Sequence, residues 1–218
     1  MSNIKNNENT EMCSLCGGMC CMKSGCDYSA RDFKDCSYNT LTKELSKGNI
    51  SIVSFLKFKD GNDYEYFLYL RARNTNRDIV DLISMKTKCS MLGDTGCMYD
   101  YKHRPEGGRN LIPRKDIDSP CIPDKDPKDI VLSWKPYQKV LKRIVLEYTG
   151  MSVEKKIRID VENLFYDVWC ENFEGVSPIE KEDLKGFVMS LIGTFPEEYK
   201  RAKERYDNRY YGVLRRKK

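Results

Sequence analysis

Half of the cysteines in this chain are crowded near its N-terminus. The 218 residues contain ten cysteines, and five of them lie in the stretch MCSLCGGMCCMKSGC at 12–26. The chain is long enough to bury a hydrophobic core, so it does not need disulfides to fold. Its first residues are polar, without an apolar leader segment, which predicts a cytoplasmic protein. Because thiols stay reduced there, dense cysteines indicate metal binding or redox chemistry, whereas in a secreted protein they would pair as disulfides.

The spacing inside this stretch distinguishes two kinds of cysteine pair. Cys13 and Cys16 are separated by two residues, so a tight turn can direct both sulfurs at one metal ion. Cys20 and Cys21 are adjacent, and adjacent side chains of an extended chain point to opposite faces. We therefore expect Cys20 and Cys21 to serve different partners, such as two metals, two irons of a cluster, or one metal and the core.

A second cysteine pair lies further along the chain. Cys89 and Cys97 bracket SMLGDTG, and they could complete the site from a distant part of the sequence. Zinc sites combine such pairs, and iron–sulfur clusters also use cysteine thiolates, so zinc, iron and an iron–sulfur cluster are all open as the cofactor. His103 is the only imidazole that the sequence offers to such a site.

Three other cysteines give less information. Nothing in the spacing of Cys26 and Cys36 fixes their geometry, and they are further candidate ligands. Cys170 lies beside Trp169 in a helical pattern, where a cysteine is expected to pack as a small apolar residue.

The stretches CSLCGGMCC and CSMLGDTGCMYDYKHRP together resemble a known family. They are similar to the YkgJ-type cysteine-cluster domains, which chelate zinc or iron, and the resemblance covers residues 13 to about 121. The flagellin lysine N-methylases carry a similar cluster, which implies an iron–sulfur centre and methyl-transfer chemistry. The resemblance implies that the matching cysteines hold the metal. The matching positions are Cys13, Cys16, Cys20, Cys21, Cys89, Cys97, Tyr99, Arg104 and Pro105.

Two departures from the family pattern bear on the metal site. The family usually has its gap of three residues before its gap of two, whereas here the order is reversed. It also usually has a cysteine shortly after the Arg-Pro dipeptide, where this chain has Gly108. Either Cys121 supplies that ligand, or the metal keeps an open position that would suit catalysis or substrate binding. We include Cys121 among the predicted ligands, and we expect His103, Arg104 and Arg109 to support the ligands or to bind substrate.

Hydrophobic patterning predicts the strands and loops between the cysteines. A short helix is expected at 41–46. The runs ISIVSFLKF and YEYFLYLRAR, separated by KDGND, predict a β-hairpin. A further short strand is predicted at 79–83. Five of the eight prolines fall within 113–136, which predicts a linker that runs over the surface.

Four helices are predicted in the remainder of the chain. Apolar side chains recur at helical spacing over 137–148 and 153–168, with Gly150 suited to end the first helix and Ser152 to cap the second. SPIE at 177–180 is a capping-box sequence for a third helix, and a basic fourth helix begins at about Pro196. The expected fold class is α+β, with a small antiparallel β-sheet that carries metal-binding cysteine loops, followed by a C-terminal helical region.

The expected organisation has three parts. They are a disordered tail at 1–12, a cysteine-cluster metal-binding domain at 13–125 and a helical region with a basic C-terminus at 126–218. Residues 200–218 carry nine Lys/Arg and two acidic residues, a sum of +7, so the other residues sum to −2 of the net +5. The basic character therefore belongs to the tail.

The sequence thus predicts a metal-binding protein. Two alternatives remain, a metal-dependent protein-modifying enzyme and a nucleic-acid-associated accessory protein that uses the basic tail. A metal ion is the expected partner, with a protein and nucleic acid as further candidates. No run approaches the roughly 18 apolar residues of a membrane span, so no membrane partner is expected.

Overall fold

The computed structural model describes residues 26–59, 62–73, 78–83, 89–93, 96–112, 121–172 and 178–215, together with positions 11 and 15. Its central feature is the predicted β-hairpin. Strands β2 (Ile50–Phe58) and β3 (Tyr64–Ala72) pair antiparallel along their whole length, from Ile50 opposite Ala72 to Phe58 opposite Tyr64. Aromatic and β-branched side chains dominate both strands, and these are the residue types that fit a half-buried pleated surface. The hairpin prediction is confirmed.

The sheet has a third strand that the hydrophobic pattern does not reveal. Strand β1 (Cys26–Tyr28) pairs antiparallel with β3 and places Cys26 opposite Ala72, so the sheet order is β1-β3-β2. The segment predicted as a strand at 79–83 lies along the other edge of the sheet instead. It makes a single parallel bridge, between Ile52 and Val80. A strand of three residues is too short to show the alternation from which strands are predicted.

The cysteine-bearing loops form two very short hairpins and one short helix. Strands β4 (Leu92–Gly93) and β5 (Gly96–Cys97) form the first hairpin. Strands β6 (Leu111–Ile112) and β7 (Ile122–Pro123) form the second. Helix α2 (Glu106–Arg109) lies between the two hairpins in sequence and directly follows the Arg-Pro dipeptide.

Most of the other helices agree with their sequence signals, but the helix Lys128–Leu132 lies in the stretch 113–136, for which the sequence predicts a linker. Helix α1 spans Tyr38–Leu45 and begins three residues before its predicted start, because Ser37 caps it by accepting a bond from the Thr40 N–H. The C-terminal half contains α3 (Lys128–Leu132), α4 (Gln138–Thr149), α5 (Val153–Trp169), α6 (Pro178–Ser190) and α7 (Pro196–Arg215). Gly150 ends α4 with a φ of 66°, and the Ser152 hydroxyl caps α5 by accepting from the Lys155 N–H.

The main hydrophobic core joins the sheet to the helices. Its fully buried side chains come from β2 and β3, from helices α1, α4, α5, α6 and α7, and from Phe195 directly before α7. One cluster therefore takes side chains from both the 13–125 and the 126–218 regions. The predicted α+β fold class is confirmed, with an antiparallel sheet followed by a C-terminal helical region.

The described part of the proline-rich stretch 113–136 is not a surface linker. Trp134 is fully buried, and its indole N–H donates a hydrogen bond of 2.7 Å to the Tyr28 carbonyl. Ile130 and Val131 on α3 are buried as well. The apolar residues between Pro127 and Pro136 place this segment in the core. Trp134 also links this segment to strand β1.

Among the helices that the structure describes, none is both long enough and apolar enough to cross a lipid bilayer.

Candidate metal centre

The turn that begins at Cys89 orients a buried thiol. Cys89 is only 1% exposed, and the Met91 N–H donates a hydrogen bond of 3.4 Å to its sulfur. The Leu92 N–H donates to the Cys89 carbonyl at 3.2 Å, which closes a tight turn. An N–H group aimed at sulfur stabilises the thiolate more than the thiol, because the bond is stronger when its acceptor is charged. This turn therefore presents Cys89 in a form suited to metal binding.

The hairpin of β4 and β5 returns the second cysteine of the pair to the same place. Cys97 is paired with Leu92 across the two strands, and the Met98 N–H donates to the Met91 carbonyl at 2.8 Å. The half-buried Cys97 side chain packs against the residues that surround Cys89. The expectation that SMLGDTG brings Cys89 and Cys97 together agrees with this arrangement.

Strand β1 adds a third cysteine. Cys26, Ala72, Cys89 and Met91 are buried together in a small cluster that is separate from the main core, and Tyr28, Leu92 and Cys97 pack against it. We call these seven residues the cysteine cluster. Three cysteines that are distant in sequence thus share one apolar environment.

The two fully buried thiols lie close to one tyrosine. Burial, followed by the charges of Tyr99, Cys89 and Cys26, raises the pKa of Tyr28 above its usual range. Tyr28 also packs against the cluster that contains both cysteines. Burial lowers the pKa of the Arg71 guanidinium. Its anionic neighbours, which include Cys26, raise this pKa by more, so the net shift is upward.

Two successive glycines hold helix α2 against strand β1. A Cβ atom on Gly107 would lie 2.7 Å from the Asp27 carbonyl oxygen, and one on Gly108 would lie 3.1 Å from the Cys26 sulfur. The backbone of α2 therefore approaches β1 more closely than any residue with a side chain would allow. The visible signal for this contact in the sequence is the glycine pair directly after Arg104-Pro105-Glu106.

The other predicted ligands either lie outside the described residues or are not among the residues that pack against the cysteine cluster. Cys13, Cys16, Cys20 and Cys21 lie outside the described residues. The half-buried Cys121 directly precedes β7 and is not one of the described residues that pack against the cysteine cluster.

Cys36 belongs to the main core instead. Its thiol donates a hydrogen bond of 3.4 Å to the Ala30 carbonyl. Burial raises the pKa of Cys36 to about 11, so this residue is held as a neutral thiol.

The three residues expected to support ligands or bind substrate all have protein partners. The exposed His103 ring donates a hydrogen bond of 2.7 Å from Nδ1–H to the Asp100 carboxylate, and the Arg104 Nε–H donates to the Tyr99 carbonyl at 3.2 Å. Arg109 donates to Asp32 at 2.8 Å and also to the Arg104 carbonyl. These contacts fasten the loop that carries α2.

A complete metal site is not present in the described part of the chain. Within the ranges given above, no three His, Cys, Asp or Glu side chains are grouped so that they could hold a metal ion. The donor atoms of the cysteine cluster nevertheless have the chemistry that zinc and iron–sulfur centres require, because soft thiolates are their preferred protein ligands. Any complete coordination shell must therefore draw on further residues.

The basic C-terminal helix is bound to its neighbour through several of its arginines. Arg201 pairs with Glu162 at 2.8 Å, and Arg205 lies over the Tyr166 ring at 3.9 Å. Arg209 donates to the Tyr166 hydroxyl at 2.8 Å. These arginines are committed to packing α7 on α5, so the observed contacts give no support to a nucleic-acid surface.

Comparison with known proteins finds no family model that matches the chain, no similar curated protein and no matching solved structure. The similarity to the cysteine-cluster domains therefore remains a resemblance that the motifs alone carry.

Proposed function

We propose that this protein binds a metal, as a zinc ion or an iron–sulfur centre, through cysteine thiolates at the cysteine cluster. The observation that supports this function best is the convergence of Cys26, Cys89 and Cys97 in one small buried cluster, apart from the main core. Cys26 and Cys89 come from distant parts of the sequence, and cysteine thiolates are the ligands that zinc and iron–sulfur centres prefer.

The N-terminal cysteines can reach this place. Cys21 precedes Cys26 by five residues and Cys13 precedes it by thirteen. An extended chain spans at most about 3.6 Å per residue, so Cys21 can lie no more than about 18 Å from Cys26. The ligands that the described residues lack are therefore available a short distance along the same chain.

The chain contributes orientation and charge to such a centre. The Met91 N–H favours the thiolate over the thiol at Cys89, and the apolar side chains of Ala72 and Met91 pack around the sulfurs. A closed zinc site would stabilise the fold, whereas an iron–sulfur centre would add electron transfer.

Two cysteine variants test this function. Cys89→Ser should remove a ligand, while Cys170→Ser alters a half-buried cysteine at the C-terminal end of α5 that is not part of the cysteine cluster. After anaerobic purification, we expect the wild type and Cys170→Ser to retain equal metal, and Cys89→Ser to bind zinc at least about tenfold more weakly, the smaller loss seen on disturbing a metal site.

The absorption spectrum distinguishes the two kinds of centre. Iron with acid-labile sulfide and visible absorption identifies an iron–sulfur cluster, whereas a colourless protein with zinc identifies a zinc site. A wild-type protein that is folded, contains neither metal and takes up no added zinc would refute the proposal.

A further inference from the structure

We infer that Tyr69, Arg71 and Arg73, on one face of the sheet, form a binding site for a small oxyanion, a phosphate or a carboxylate group. The site uses none of the cysteines, so the inference goes beyond the proposed function and does not depend on it. Oxyanions are the ligands that guanidinium groups recognise best, because their oxygens match the N–H donors of an arginine.

The strand register places the three side chains on one face. Successive side chains of a strand point to opposite faces, so Tyr69 and Arg71 lie on the face opposite to that of Leu70. Arg73 directly follows the last pair of the β2–β3 ladder, and its N–H donates to the Asn49 carbonyl at 3.2 Å. The pairing therefore continues through Arg73, which follows the same alternation. The Arg71 guanidinium carbon lies 5.5 Å from the centre of the Tyr69 ring.

Arg73 is a buried cation with an unused donor. The residue is 4% exposed, and its Nη1–H donates to the Asp81 carboxylate at 2.6 Å. The Nε atom of Arg73 is buried too, and it has no hydrogen-bond partner in the described part of the chain. A buried N–H without an acceptor is costly, and an ion or a water molecule commonly accepts from such a group.

The charge of Arg73 is not fully compensated. Burial lowers the pKa of its guanidinium, and the nearby Arg71 lowers it as well. Asp81 and Tyr69 raise this pKa by less, so the net shift is downward. One carboxylate is therefore not enough to offset both the burial and the second guanidinium. A bound anion supplies further negative charge, and this favours an ion over a water molecule at the site.

The other two residues also have donors that no described residue uses. Asp27 accepts from the Nε–H of Arg71, whereas the two terminal nitrogens of Arg71 form no hydrogen bond within the described ranges. The Tyr69 hydroxyl forms none there either, although this residue is only 6% exposed. The side chains of Arg71 and Asp27 reach the surface, at 17% and 18% exposure, so a small ion can approach from that end.

Two substitutions test the site, each with a matched control. Tyr69→Phe removes only the hydroxyl, and Arg73→Lys keeps the charge while removing the Nε donor. The control Tyr64→Phe removes a hydroxyl from the opposite face of β3, and that hydroxyl also forms no hydrogen bond with the described residues. The control Arg143→Lys changes an exposed arginine on α4.

Isothermal titration calorimetry with inorganic phosphate and, separately, with acetate measures binding at constant ionic strength, and circular dichroism checks that each protein is folded. We expect the wild type to bind one of the two ions with a Kd of about 1 mM or tighter. Whichever ion binds more tightly identifies the ligand as a phosphate or a carboxylate. Tyr69→Phe and Arg73→Lys should each bind at least about tenfold more weakly, the effect of losing one hydrogen bond to a charged group. Both controls should bind as the wild type does.

Three results would overturn the inference. They are a folded wild type that binds neither ion, a Tyr69→Phe protein that binds as tightly as the wild type, and an equal loss of affinity in Tyr64→Phe and Tyr69→Phe. If Arg73→Lys does not fold, the comparison of the two tyrosine variants decides alone.

Discussion

Replacing Gly107 with alanine should separate helix α2 from strand β1. The added methyl group would lie 2.7 Å from the Asp27 carbonyl oxygen and 2.9 Å from the Asp27 amide nitrogen. Both are backbone atoms, so no side-chain rotation relieves the overlap, and the whole helix must move. We expect the free energy of unfolding to fall by about 3 kcal/mol, the upper part of the usual range for an overpacked site. Metal retention should fall as well, because α2 covers the Cys26 sulfur.

A second glycine provides the matched control. Gly186 lies within helix α6, and a Cβ atom there would meet nothing within 4 Å. Gly186→Ala should therefore leave the protein unchanged or stabilise it by up to about 1 kcal/mol, since alanine is the better helix former. Urea unfolding monitored by circular dichroism compares the two variants. Equal stability of the Gly107→Ala and Gly186→Ala proteins would show that α2 and β1 are not in close contact.

Replacing Trp134 with alanine should cost about 3–5 kcal/mol of unfolding free energy, as for other fully buried aromatic residues. The indole ring is 0% exposed and meets the Phe33 and Tyr137 rings edge to face, at 5.6 and 6.2 Å between centroids. The substitution also removes the hydrogen bond to the Tyr28 carbonyl. Because that carbonyl belongs to β1, the loss should loosen the strand that carries Cys26.

The control for Trp134 lies on the adjacent helix. Leu132, at the end of α3, is 47% exposed, and Leu132→Ala should change the unfolding free energy by less than about 0.5 kcal/mol. Trp134→Phe should have an intermediate effect, since it keeps one aromatic ring but loses the N–H donor and part of the buried ring volume. Thermal or urea unfolding measures all three variants. If Trp134→Ala were as stable as Leu132→Ala, the segment 121–137 would not be part of the core.

Local signals in the sequence predict most of the regular structure. The hairpin of β2 and β3 follows from two long runs of strand-forming residues around a turn, and both are visible without knowledge of the rest of the chain. Gly150 and Ser152 predict where α4 ends and α5 begins, because the chemistry of helix ends depends on only a few neighbouring residues. These features depend on short-range interactions, which the sequence displays directly.

Features that depend on distant contacts are not visible in the same way. Strand β1 has only three residues and owes its existence to pairing with β3, which lies more than forty residues away in sequence. The grouping of Cys26 with Cys89 depends on that pairing, so spacing could suggest Cys26 only as a further candidate. The prolines around Trp134 predict a surface linker, so the burial of this residue is not visible in the sequence. The close contact between α2 and β1 at Gly107 likewise depends on residues far apart in the sequence.

The central claim is that sulfur atoms of this chain surround a metal. X-ray absorption spectroscopy at the edge of the metal present in the anaerobically purified protein tests it most directly, because it identifies the atoms bonded to that metal. The account predicts a shell dominated by sulfur, at about 2.3 Å if the metal is zinc. A shell made only of nitrogen and oxygen atoms would contradict it.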